Sequence, residues 1–330
     1  MHHDAALVEA RVRRFVSERL EPAVAVSASP LELSAWQAPG EPVPFADAVT
    51  QRFTPLRTGA AWGPAWSTLW IRIEGIVPRV QSGQRAELLF DLGFTDAQPG
   101  FQAEGTVYRT DGSIVKAIEP RNAYVPLDGA AGAPIELYLE AAANPDVAGG
   151  WDFQPTALGD RDTAGDEPLY RLERADVVVR DLAAWELLQD VLVLEGLMRE
   201  LPATAPRRAE ILAALERMVD AADPDDIAGT IDDARRELAG VLARPAVGSA
   251  HRVHAVGHAH IDSAWLWPVR ETQRKIARTF SNVLSLQQEN PDFHFAASSA
   301  QQYAWIKQYQ PELFERIREA IREGRFHPAG

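Results

Sequence analysis

Val253-His254-Ala255-Val256-Gly257-His258-Ala259-His260-Ile261-Asp262-Ser263-Ala264-Trp265-Leu266-Trp267-Pro268 is the stretch on which the fold of this 330-residue chain turns. Val253 to Asp262 reads as a strand. Pro268 opens a helix, because a proline's missing N–H is no loss in the first helical turn. Six of the eight histidines stand at or beyond His251. Side chains alternate along a strand, so the spacing predicts that His258, His260 and Asp262 share one face. Two imidazoles and a carboxylate at a strand end suit a borderline-soft divalent cation such as Zn²⁺.

Downstream, the order continues helix, strand, helix, strand. The helix over 269–288 carries Ile276, Phe280, Val283, Leu284 and Leu286, and Asn290-Pro291 stops it. Phe293 to Ser298 reads as the second strand. Gln301 to Glu323 is helical, interrupted near Pro311 and closed by Gly324. Arg325-Phe326-His327-Pro328 starts a third strand. Alternating β and α units predict a parallel sheet or an α/β barrel with its site at the C-terminal strand ends. A barrel takes roughly 200 residues or more, so two βα units and a third strand are expected to be the start of one.

Upstream of the stretch, Leu182 to Leu242 has helical patterning in three pieces, parted by prolines and followed by the connection Pro245 to Ser249. Asp223, Asp225, Asp226, Asp232 and Asp233 lack the spacing of a calcium loop and read as helix-start and surface charge. From Pro30 to Arg180 short β-type runs are punctuated by Gly, Pro and Asp. The clearest is Gly105 to Thr110, then Asp111-Gly112, then Ser113 to Ile118, which predicts a hairpin with a type I′ turn. Several such strands predict a β-sandwich. Of its tryptophans, Trp70 reads as core, while Trp62 and Trp66 lie in a Gly/Pro-rich loop where packing is favoured over sugar stacking; Trp36 and Trp151 complete the set. The loop Asn144 to Pro168 reads as lid-like or mobile. Asp4 to Leu20 predicts a helix capped by Asp4, with Arg11, Arg13, Arg14 and Arg19 on a solvated face.

Composition narrows the function classes. Apolar residues make up 46% and charged residues 24%, as in globular proteins. A formal net charge of −14 argues against nucleic acid as a partner. The absence of cysteine removes thiolate metal sites and cysteine nucleophiles and fits a cytoplasmic protein. No apolar run approaches the ~20 residues of a membrane span, and residues 1–20 have no signal-peptide core.

With these residues in view, Gly257-His258-Ala259-His260-Ile261-Asp262-Ser263-Ala264-Trp265-Leu266-Trp267-Pro268 resembles the first-strand motif of the α-mannosidases of glycoside hydrolase family 38. The helix that follows, Ser298-Ser299-Ala300-Gln301-Gln302-Tyr303-Ala304-Trp305 and Gly324-Arg325-Phe326 fit its short, cytosolic-type branch. The resemblance implies metal-assisted, retaining hydrolysis of terminal α-mannosides, with mannose-containing glycans as substrates and usually zinc as the metal. It makes His260 and Asp262 the metal ligands of this strand, Trp265 the platform for the mannose ring, and His258 a supporting residue. The family's nucleophile, acid/base and last histidine ligand are expected beyond Gly330, leaving no catalytic residue in these 330 and the chain inactive by itself.

The whole then reads as a multidomain α+β chain. An N-terminal helical segment spans 1–28, a β-sandwich 29–181 and a helical linker 182–248. From 249 to 330 runs the first β-α-β-α-β part of a seven-stranded type of α/β barrel. Two other readings stay open. In an amidohydrolase-type site His258 and His260 would be the ligands and Asp262 would not. Alternatively, the sandwich would be a non-catalytic carbohydrate-binding or homo-oligomer-forming module.

Overall fold

A computed structural model describes residues 5–95, 100–145 and 165–329. Trp151, most of the loop 144–168 and the cap assigned to Asp4 lie outside the described residues. No helix among those described is long and apolar enough to cross a membrane.

Helix α1 (Ala5–Phe15) runs through a π-helical turn, Val16–Leu20, into the short α2 (Glu21–Ala23). There follow β1 (Ala25–Pro30), β2 (Glu32–Gln37), α3 (Phe45–Ala48), β3 (Thr54–Leu56), β4 (Ala61–Trp62), β5 (Thr68–Ile76) and β6 (Gln84–Asp91). Next come β7 (Glu104–Tyr108), β8 (Ile114–Ile118), β9 (Tyr124–Pro126), β10 (Pro134–Ala142), β11 (Tyr170–Arg171) and β12 (Arg174–Asp181). Three helices succeed them, α4 (Leu182–Glu200), α5 (Pro206–Ala221) and α6 (Ile227–Leu242). The C-terminal part holds β13 (Gly257–His258), α7 (Val269–Glu289), β14 (Phe295–Ala297), α8 (Ala300–Tyr309), α9 (Pro311–Arg322) and β15 (Phe326–Pro328).

The chain divides into two compact units. One comprises the segment ending at Ser29, Pro78–Glu87 and Val178–Val253. Its core joins Val12, Phe15 and Leu20 to Leu187 and Val191 of α4, Leu215 and Met218 of α5, and Leu238 of α6. Local chemistry starts each of its long helices. Asp181 accepts from Ala184 N at 2.9 Å, Pro206 opens α5, and Asp226 accepts from Gly229 N at 3.0 Å. The acidic cluster is used as the helix-start reading expects: Asp223 accepts from Asp225 N and Asp233 pairs with Arg236.

The second unit comprises Pro30–Val77, Leu88–Val177 and the segment from His254. Its largest sheet has six antiparallel strands in the order β3-β2-β5-β10-β7-β8. The predicted hairpin is β7–β8, but its turn is not type I′. Gly112 alone has positive φ (+87°), and its N–H donates to Arg109 O at 3.0 Å. That is a tight turn followed by one left-handed glycine, and Asp111 accepts from Ser113 N across it.

Alternation breaks down where β5, β7 and β10 are covered on both faces. Thr68 to Ile71 and all of β7 are buried, because Trp70, Tyr108 and Ile114 share a core with Ile276 and Phe280 of α7 and with Phe295 and Phe326. Trp70 is core, as its strand position predicts. Trp62 and Trp66 are buried too, each 5% exposed, and Trp62 Nε1 donates to Leu92 O. Neither loop tryptophan offers a free face to a sugar.

β13, β14 and β15 form a parallel sheet with β14 central. The first strand is far shorter than the predicted Val253–Asp262. Only Gly257 and His258 find ladder partners, in Phe295 and Ala296, while Val253 and Val256 are exposed. An edge strand lasts only as long as its neighbour pairs with it. His260 and Asp262 therefore stand on a loop, not on a strand face. Helix 301–323 is two helices, α8 and α9, parted at Gln310 where Pro311 removes a helical donor.

Candidate functional site

β13 lies close against the start of β14. A Cβ on Gly257 would sit 2.7 Å from the Phe293 ring and 3.2 Å from His294 O, so this approach requires glycine. Gly257 N donates to His294 O at 2.8 Å. His258 Nδ1 is 2.9 Å from Ala296 O. A carbonyl only accepts, so Nδ1 carries the proton and a neutral ring leaves Nε2 bare.

Past the strand the chain bends, bringing His260 Nε2 within 3.2 Å of Asp262 Oδ1. Gln302, buried in the first turn of α8, holds the loop on both sides of Asp262. Its amide donates to Ile261 O at 2.8 Å and to Ser263 Oγ at 3.4 Å. Ser299, just before α8, has φ +72°, an uncommon value for a residue with a side chain. The two tryptophans part company. Trp267 is anchored, its Nε1 donating to Thr272 Oγ1 at 3.0 Å, its ring 5.9 Å from Phe101 and 5.0 Å from Lys275 Nζ. Trp265 is 41% exposed.

Beneath the loop lies a buried ion network that sequence reasoning missed. Glu104 of β7 faces Lys275 and Arg278, Glu271 faces Arg274 and Arg278, and Glu140 of β10 faces Arg274 at 3.1 Å. Asn144 Nδ2 donates to Glu271 Oε1 at 2.8 Å. Burial by itself would raise the Glu104 carboxyl, but the charges of Lys275 and Arg278 outweigh it and hold the group down at about 2. Glu271 is likewise pushed up by burial and pulled below its ordinary value by Arg278, Arg274 and Lys275. Burial would lower Arg278, yet Glu271 and Glu104 raise it. The only signal was Glu271, Arg274, Lys275 and Arg278 at helical spacing, which by itself reads as a solvated face. A cavity of about 330 Å³ borders this network and the loop, lined by His258, His260, Trp267, Lys275 and Asn282 among others.

The loop's donors fit a divalent cation in part. Two ligands on one tetrahedral ion, each about 2.0–2.1 Å from it, stand about 3.3–3.4 Å apart, close to the 3.2 Å between His260 Nε2 and Asp262 Oδ1. Among the described residues no third histidine or carboxylate joins them. His258 does not converge on the pair.

Comparison with known proteins sets this geometry in a family. Residues 250–330 match "Glycosyl hydrolases family 38 N-terminal domain", and residues 29–178 match "Alpha-mannosidase, jelly roll domain". Residues 250–330 are thus similar to the family 38 N-terminal domain. The sandwich is a jelly roll, followed by a segment of the family 38 N-terminal domain type. The chain is similar to "Alpha-mannosidase 2C1" of Mus musculus, 33% identical over 308 residues, which covers 90% of this chain and 28% of that protein. The Homo sapiens protein of that name is 33% identical over 305 residues with the same coverage. "Alpha-mannosidase" of Saccharomyces cerevisiae is 26% identical over 277 residues, 78% of this chain and 24% of the relative. The chain thus spans about 28% of the length of the mouse and human family 38 relatives.

Proposed function

We propose that this chain supplies the metal- and sugar-binding part of an α-mannosidase that hydrolyses terminal α-mannosides of glycans with retention. The observation that carries it is the His260–Asp262 pair, 3.2 Å apart beside an exposed Trp265 in the family 38 segment. A divalent cation, zinc by preference, polarises sugar hydroxyl oxygens when bound. His260 Nε2 and the Asp262 carboxylate would hold it, and Gln302 fixes the peptide between them through Ile261 O. Trp265 offers an indole face to the pyranose ring and excludes water from it. His258, tied to Ala296 O, supports the strand end.

Retaining chemistry uses two carboxyl groups about 5–5.5 Å apart. On this proposal neither is among the 330 residues, so turnover belongs to a protein that supplies both. A cytoplasmic location is part of the proposal, and a sequence without cysteine is compatible with it.

Calorimetric titration of the purified chain with Zn²⁺ tests the site. Binding is expected, abolished by His260→Ala or Asp262→Ala and retained by His258→Ala. Binding that survives Asp262→Ala and vanishes with His258→Ala would transfer the site to the two histidines, the amidohydrolase-type arrangement.

A further inference from the structure

The second unit holds a larger cavity, of about 490 Å³, that shares none of the residues of the His260–Asp262 loop. One wall is a face of the six-stranded sheet. Strand pairing sets Glu140 beside both Trp70 and Thr106, and Tyr138 beside Tyr108, so these side chains share that face. The other walls are α7, α8 and the segment Glu41–Ala46.

Its chemistry is specific. Phe45, Trp70 and Tyr108 form an aromatic wall with ring centroids 5.4–6.0 Å apart. Trp305 is half-buried and Tyr309 is 52% exposed, which leaves ring area open to a ligand. The charged lining residues are paired: Glu140 with Arg274 at 3.1 Å and Glu41 with Arg270 at 2.6 Å. Two acids against two arginines leave no net charge to select a phosphate or an amine. Two donors in the lining side chains lack acceptors. Trp70 Nε1, on a residue 1% exposed, and Arg274 Nε find no hydrogen-bond partner among the described residues. Buried donors of this kind call for an acceptor.

A ligand that is neutral, oxygen-rich and ring-faced meets all of these conditions. The volume lies within the range of small-molecule sites, roughly 300–1,000 Å³, and takes one or two pyranose rings. We propose that this cavity is a saccharide-binding site separate from the metal-bearing loop. Such a site would hold a glycan, or a released sugar, while the loop engages another residue. It goes beyond the mannosidase reading and does not depend on it.

The test uses this chain in EDTA, which keeps the loop metal-free. Methyl α-mannoside and an α-linked mannobiose are titrated in by saturation-transfer NMR, with tryptophan fluorescence as a second readout. Binding is expected without metal. Trp305→Ala should weaken it about tenfold. Tyr309→Ala, a change at an exposed residue that leaves the fold in place, should weaken it as well. Asp262→Ala should leave it unchanged. Absence of binding in EDTA overturns the proposal. So does binding that Asp262→Ala abolishes, or that both aromatic variants leave intact. The zinc titration reports on the loop independently, so the two proposals can fail separately.

Discussion

Glu104 shows how one residue ties a strand to a helix. It lies on β7, 6% exposed, with Lys275 and Arg278 of α7 against its two oxygens. Glu104→Gln would leave the buried Lys275 without its counter-charge and Arg278 with Glu271 alone, a loss of about 3–5 kcal/mol, measurable by urea denaturation. The carboxyl also sets a pH dependence. Its ordinary value is 4.5 and its folded value about 2, so as pH falls the unfolded chain takes up the proton first. The stability it confers is complete above about 4.5 and is lost between there and about 2. Thermal melts should therefore fall more steeply across that window for the native chain than for Glu104→Gln. Gln302 acts at the same scale on the candidate site. Gln302→Ala frees the Ile261 carbonyl and the Ser263 hydroxyl on either side of Asp262, and by analogy with outer-sphere metal-site residues should weaken Zn²⁺ binding about 10–100-fold. Calorimetry measures it, and circular dichroism checks that α8 persists.

Among the elements, the β7–β8 hairpin and α7 are instructive in opposite ways. Asp111-Gly112 announced the hairpin, and the hairpin is there. Gly112 also sits over Phe45, so close that an added Cβ would be 2.9 Å from its ring. Gly112→Ala would meet both that contact and a φ of +87°, costing about 1–2 kcal/mol for the backbone alone, to be read from chemical denaturation. The periodicity predicts α7 as 269–288, and the helix is Val269–Glu289. Its environment was not legible. Glu271, Lys275, Arg278 and Asn282 are buried because Glu104 of β7, distant in sequence, neutralises Lys275 and Arg278, Arg274 and Arg278 neutralise Glu271, and Asn282 accepts from Ala117 N. No local pattern distinguishes a solvated charged stripe from one that a buried strand awaits.

Within the second unit as a whole, the jelly roll and the family 38 segment share one core. Trp70, Tyr108 and Ile114 pack with Ile276, Phe280 and Phe326. Ending the chain at Ala250 would expose that face and strip Glu104 and Glu140 of their cations. The truncated sandwich is expected to melt well below the full chain and to bind a hydrophobic dye; an unchanged melting temperature would contradict the shared core. Sequence by itself carried the resemblance to family 38, through Gly257 to Pro268, and determined the kind of most elements, because caps, prolines and periodicity act within a few residues of their cause. It also named His260, Asp262 and Trp265. Tertiary structure decided that the first strand stops at His258, for want of a longer partner. It decided that Trp62 and Trp66 are buried, that Trp265 is exposed while Trp267 is anchored, and that charges on α7 face inward. The inward charges depend on partners more than a hundred residues away, the strand end on its neighbour and the tryptophans on what the fold packs around them, and none of these is written in local spacing.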